Sequence, residues 1–404
     1  MPKNKRPVPR IPRKAAADLV EDADLLAQAL ADLALELSEA EHAEEEDQEA
    51  LRAKEVEFGR LLRNALRKKS DEVLYGAIER ARDADVGAYQ YLRSHIEEAS
   101  ATLVLRKEGA PAMEITAFAV PVFVHSAGGL KEAEGFQDGD AFDALVASFQ
   151  GAGLESPDAK VVMLAHAYDP AEADRITYSN LQDMARDAAG SMTEKKLVAR
   201  PALEQSMAGW EPTGFAPGDK AVELRYLLGF AMKRADDPFY SIPEQEAQAD
   251  AYFDARMERY RAWTGQAAPL VKRCLASRPD DLELHFLYQD LFFGAREQAM
   301  AELAMLQMMA QLGAVLDQHA GAAEAIVGPA DVDDMMVLRV NLTADGVVIA
   351  TSDKPLDLAA DLQVEVDDIC DALATLGVEA VSVALRFGPD GAAQEVRPYA
   401  AAAH

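Results

Sequence analysis

Residues 222–233 read Val222-Glu223-Leu224-Arg225-Tyr226-Leu227-Leu228-Gly229-Phe230-Ala231-Met232-Lys233, and apolar residues at the even positions alternate with Glu223, Arg225 and Lys233. A period of two is that of a strand covered on one face. The alternation returns in Leu282, Leu284, Phe286 and Tyr288, in Met336, Leu338, Val340 and Leu342, and in Val381, Val383, Leu385 and Phe387. Helices are predicted between these strands at about 246–277, 295–318 and 361–376, and Ala344-Asp345-Gly346 predicts a hairpin to a partner strand at 347–350. Half-covered strands with helices stacked on one side predict an α+β fold with largely antiparallel or mixed sheets, not a doubly wound parallel sheet.

Upstream, 102–164 reads as β-β-α-β: strands at 102–106 and 114–124, a helix at 140–150 and a continuous apolar run at 161–164, with a further helix around 180–189. Pro121 places the second strand at an edge or a bulge, because proline cannot donate to a ladder. The order strand, strand, helix, strand from 335 to 387 repeats that of 102–164, which raises an internal duplication. Prolines and glycines break any period over 200–220, the expected linker between an α/β unit at 101–199 and a second at 221–388. Residues 389–404 are rich in small side chains and are expected to fray.

Residues 15–100 read as helical. Leu19, Ala23, Leu26, Leu30, Leu33 and Leu37 recur at helical spacing, and Ser38 with Glu41 has the form of a capping box that would end one helix and begin the next. A second helix buries Phe58, Leu61, Leu62, Ala65 and Leu66, Ser70 can cap a third, and a fourth runs from about Asp85 to Glu98.

The 404 residues are 50% hydrophobic and 27% charged, which suits a large core and excludes a disordered or fibrous chain. Forty basic against 70 acidic residues give a net charge of −30, which favours solubility and disfavours general attraction to nucleic acid or anionic membrane. The first 14 residues are the exception: Lys3, Lys5, Arg6, Arg10, Arg13 and Lys14 stand among four prolines with no acid. That tail suits nucleic acid or another anionic partner, or the protein's own acidic surface. Cys274 and Cys370 are too few for a disulfide framework or a zinc module, so a reducing cytoplasm is expected. The N-terminus lacks the apolar core of a secretory signal, and the charge-free run Leu303–Leu316 is short for a membrane span, so no membrane segment is expected.

Chemistry is sparse. No G-x-x-x-x-G-K-[ST] and no H-E-x-x-H occurs, and Gly151 and Gly153 follow a helix, as a C-cap does. Val124-His125-Ser126-Ala127-Gly128 resembles half of a nucleophile elbow, with Val124 in the first glycine position. His125, His166 and Asp169 stand at strand ends and would form a base or metal site if strands 114–124 and 160–165 were parallel neighbours; otherwise they are surface histidines and a turn. Alternation also places Arg225, His285, Arg339 and Arg386 on one polar face with Glu223, Glu283 and Asn341, a candidate anion site or a solvated face with cross-strand ion pairs. The aromatics fall on the opposite phase, which argues against an RNA-stacking platform. The methionine-rich helix at 295–318, apolar nearly all round, is expected against the sheet or in a subunit interface.

The leucine seam at 19–37, Leu74-Tyr75-Gly76-Ala77-Ile78-Glu79-Arg80-Ala81 and Ala88-Tyr89-Gln90-Tyr91-Leu92-Arg93 resemble a bacterial family catalogued only as a domain of unknown function. The resemblance implies an unassigned activity and brings no site residues with it. The reading is therefore a cytoplasmic α+β protein with no cofactor, binding or scaffolding rather than catalysing, its partner a protein or a second copy and nucleic acid only through the tail. The alternative is a metal-dependent or anion-handling enzyme built on the strand-end histidines.

Overall fold

The computed structural model describes residues 16–40, 48–126, 139–168, 170–193, 222–243, 245–275, 282–319, 322–333 and 335–399. The chain forms two compact units, one of residues up to Ser100 with Thr177–Gln182, the other of Ala101–Ile176 with Asp183 onward.

The first unit is helical: α1 (Ala16–Ala40), α2 (Gln48–Lys68), α3 (Asp71–Ala84) and α4 (Val86–Ala101). Its core takes Ala27, Leu30, Ala34 and Leu37 from α1, the expected Phe58, Leu61, Leu62, Ala65 and Leu66 from α2, and Leu74 and Ala77 from α3. Helix α1 continues through Ser38 to Ala40, and the buried Ser38 hydroxyl donates back to the Leu35 carbonyl at 3.0 Å, as a serine inside a helix can; Glu41, the other half of the expected capping box, lies outside the described residues. Ser70 precedes α3 without a side-chain cap bond, whereas Asp85 caps α4 through the Ala88 N–H. The Asp71 carboxylate accepts from the Thr177 hydroxyl and the Ser179 N–H, which binds the later segment to α3.

Among the described residues the second unit holds two larger sheets and a small hairpin. The first sheet has the order β1-β2-β4-β3, all antiparallel: β1 (Thr102–Leu105), β2 (Met113–Ser126), β4 (Val222–Arg234) and β3 (Lys160–Tyr168). The free edge of β2 also pairs β5 (Leu282–Phe286) and β6 (Asp290–Leu291). Pro121 lies in the gap between these two pairings. Its carbonyl accepts from Leu287 on that side, so its missing N–H faces the gap and costs no ladder bond.

Strand β4 is not half-covered as its alternation implies; residues 224–232 are buried throughout. Helices α5 (Gly139–Gly151) and α8 (Glu246–Leu275) cover one face, where Phe118, Val120, Leu227 and Ala231 meet Phe149, Trp263 and Val271. On the other face the Tyr226 hydroxyl donates to the Arg296 carbonyl of α9 (Phe292–Leu316), and α6 (Pro170–Asp174) packs on β4. A strand at the middle of a sheet covered on both sides is buried whatever its period. Helix α7 (Tyr178–Thr193) precedes β4 in sequence, and the Met192 carbonyl accepts from Lys160.

The second sheet is mixed, of order β13-β10-β7-β8-β9: β7 (Glu324–Val332), β8 (Met335–Ala344), β9 (Val347–Pro355), β10 (Ala380–Val383) and β13 (Arg397–Pro398). Only β10 and β7 run parallel. Helix α10 (Leu362–Thr375) supplies Val366, Ile369, Cys370 and Leu373 to its core, and Asp361 caps that helix through the Gln363 N–H. The strand expected over 381–387 is two strands in two sheets, because β11 (Arg386–Phe387) pairs β12 (Ala393–Gln394) in a separate hairpin.

Three expectations about organisation need correction. The stretch 200–220 lies outside the described residues, but strands from both sides of it interleave in the first sheet, with β4 between β2 and β3. The two strand-strand-helix-strand runs are wired differently: β3 is antiparallel to its neighbour β4, whereas β10 is parallel to β7. Finally, 389–399 is paired rather than frayed, with β13 on β10 and the Tyr399 hydroxyl donating to Asp367.

Among the described residues one helix, α9, is long and apolar enough to cross a membrane. Its N-terminal part lies against β2 and β4, while Met308 and Leu312 near its other end join the core of the second sheet.

Candidate functional site

Of the residues singled out in the sequence, those that the structure describes do not converge. His125, on β2, stands 3.8 Å from Glu283 of β5 and is partly exposed. His166 lies in the irregular part of β3 between Met163 and Ala167, and β4 separates β3 from β2, so the two histidine strands are parallel but not neighbours, about 10 Å apart across the sheet. Asp169 and the basic tail (Lys3, Lys5, Arg6, Arg10, Arg13, Lys14) lie outside the described residues.

The four candidate anion ligands are spread over three sheets. Arg225 is buried on β4 with Glu223 at 3.0 Å, and the register Arg225–Val122 against His285–Phe123 puts His285 on the opposite face. Arg339 is held in the second sheet by both carboxylate oxygens of Asp353, at 2.8 Å each, and Arg386 donates to Gln394 in the hairpin. Arg339 thus forms the cross-strand ion pair of a polar sheet face. Among the described residues no group of three or more His, Cys, Asp or Glu side chains gathers as metal ligands would. Both cysteines are buried, and burial, with Asp367 and Asp371 nearby, pushes the Cys370 thiol up to about 12, so it is a poor nucleophile at neutral pH.

A cleft of about 500 Å³ opens elsewhere, over the first sheet. Thr116 and Phe118 of β2 with Lys233 of β4 form its floor, and Tyr252, Phe253, Arg256 and Met257 of α8 form one wall. Ile242, Glu155 and the segment Tyr288–Leu291 close the rest. The floor follows from strand alternation, which puts Thr116, Phe118 and Lys233 on the face that α8 covers.

Arg256 organises the walls. Its guanidinium donates to the Tyr288 hydroxyl at 3.3 Å, the Tyr252 hydroxyl at 3.1 Å and the Leu154 carbonyl at 3.4 Å, and it lies 5.3 Å from the centre of the Phe239 ring. Burial opposes its charge, but the hydrogen bonds to the two tyrosines outweigh that and hold its pKa above the ordinary value. Gln289 donates to Glu155 at 2.6 Å, and the Tyr252 and Tyr260 hydroxyls donate to the Phe239 and Leu287 carbonyls. Asp237 anchors the short turn Pro238–Tyr240, its carboxyl held below the ordinary range by the Ser156 hydroxyl and the Phe239 N–H. Three loops are thereby tied to α8, and the cleft is preorganised.

One polar atom of the floor has no use in the fold. The Thr116 hydroxyl is shut off from solvent and has no hydrogen-bond partner among the described residues. None of the cleft residues was expected as a site. Tyr252, Arg256 and Tyr260 at spacings of four are the one local signal, placing an arginine between two tyrosines on one helix face.

The architecture defines an α+β protein in which a helical unit accompanies antiparallel and mixed sheets covered by helices. Residues 16–349 match the family described as Protein of unknown function (DUF2863), and the chain belongs to that family. No curated protein and no solved structure matches the chain.

Proposed function

We propose that the chain is a cytoplasmic binding protein whose site is the aromatic cleft between α8 and the first sheet, and whose ligand is a small, largely apolar molecule. The observation that carries the reading is a preorganised cavity of about 500 Å³ walled by Phe118, Tyr252, Phe253, Met257 and Tyr288, with one unpartnered hydroxyl on its floor. Small-molecule sites are of this size, mostly apolar, with few placed polar groups. Binding rather than catalysis is supported by the cleft's side chains: Arg256 and Glu155 are engaged in fixing loops, Lys233 is paired with Glu114, and among the described residues no serine, cysteine or histidine lines it. Two buried free cysteines agree with a reducing compartment.

Phe253 and Ile242 stand on the rim, 52% and 56% exposed, so replacing both with aspartate leaves the core intact. A set of apolar and aromatic compounds screened by thermal shift is expected to contain members that stabilise the wild type saturably, by about 2.7 kcal/mol at a hundred times Kd. The Phe253→Asp/Ile242→Asp variant is expected to lose that response. If no compound stabilises the wild type, or the rim variant responds equally, the cleft is not the site.

A further inference from the structure

Within that reading of the cleft, we infer that its ligand is an uncharged aromatic molecule carrying a hydroxyl or similar polar group, which bonds to Thr116. Among the described residues four charged side chains line the cleft, two of each sign. The Lys233 ammonium stands 3.4 Å from Glu114, Glu155 accepts from Gln289 at 2.6 Å, and Asp290 accepts from the Leu291 N–H at 2.7 Å. Arg256 donates to two tyrosines and a carbonyl. Each of these four already has a partner, and their charges sum to zero. A charged guest gives up hydration and meets acids and bases alike, so its desolvation goes uncompensated. A neutral guest avoids that cost.

The walls select for shape. Phe118, Tyr252, Phe253 and Tyr288 supply ring faces and edges, and contacts between aromatic rings add to simple burial. The floor selects for one polar group. Thr116 sits on the cleft-facing side of β2 with Ala231 and Thr102 opposite it in the register, and its buried hydroxyl has no acceptor or donor there. A χ1 rotation of about 120° carries the hydroxyl to a neighbouring staggered position, and because Thr116 lines the cleft such a rotamer offers the oxygen to a ligand hydroxyl. Buried and unbonded, the hydroxyl costs the empty protein free energy, and a hydrogen bond to a polar ligand atom removes that cost.

The test uses the full chain and four matched probes, namely 4-methylphenol, toluene, 4-methylbenzoate and 4-methylbenzylammonium, with Kd taken from saturation-transfer NMR titrations. The phenol is expected to bind most tightly, toluene about fivefold more weakly, as for one net hydrogen bond, and both charged probes at least about tenfold more weakly. Thr116→Val is expected to bring the phenol down to toluene's affinity and leave toluene unchanged; as toluene is its own control for folding, a misfolded variant would be recognised. A charged probe that binds as well as the phenol would overturn the ligand class while leaving the cleft as the site. A phenol preference that survives Thr116→Val would overturn the role of that hydroxyl. If none of the four binds, or if binding persists in the Phe253→Asp/Ile242→Asp variant, both the ligand class and the cleft reading fall.

Discussion

A Cβ built on Gly229 would lie 2.3 Å from the Phe118 ring, which itself stacks on Phe149 at 4.9 Å. Because the backbone of β4 is the surface on which that ring rests, Gly229→Ala is expected to cost about 1–3 kcal/mol in urea unfolding, as overpacking does. Phe118→Leu in the same chain should recover part of the loss; no recovery would show that the clash is not the cause. At this scale the sequence was legible in face but not in depth. Alternation assigned Arg225 correctly to the phase opposite Tyr226, yet it is buried beside Glu223 because α5 and α8 cover that face. The cleft was illegible for a different reason. Its floor comes from 116–118 and 233 and its walls from 242–257 and 288–291, and no local period joins segments so far apart.

Helix α9 shows why an element can be found and its setting missed. Ala295 and Ala299 are buried beside Arg296, whose carbonyl accepts from Tyr226 of the first sheet, and Met308 and Leu312 are buried in the second core, 13 residues further on, which at about 100° per residue turns the buried face by about 220° beyond whole turns. A helix that changes its buried face midway looks apolar all round, and no single stripe can be read from it. Strand β7 escaped because Gly328-Pro329 interrupts its alternation; the glycine is needed there, since a Cβ would fall 2.7 Å from the Ala384 carbonyl. Between β9 and α10, Lys354 is 4% exposed and ion-paired with Glu365. Glu365→Leu leaves that ammonium buried and uncompensated and is expected to cost about 2–3 kcal/mol, whereas Lys354→Met with Glu365→Leu should unfold within about 1 kcal/mol of the wild type in guanidinium. A double variant no more stable than the single one would count against the account.

At the scale of the whole molecule, the α+β class and most elements follow from periodicity, whereas the strand order does not, because pairing is decided by contacts distant in sequence. The family match ends at residue 349, inside β9, while the core of the second sheet draws Val366, Ile369, Cys370 and Leu373 from α10 beyond it. A chain ending at Ile349 is therefore expected to show fast hydrogen exchange across β7 and β8, measured by mass spectrometry against the full-length protein; slow exchange there would mean that the three-stranded remnant stands without α10. Helix α9 adds a mechanical consequence. With opposite sides of one rigid rod engaged by different sheets, any roll of the rod that loosens Ala295 on one sheet also displaces Met308 on the other, so a disturbance beneath the cleft's own sheet is transmitted to the distant one as torque.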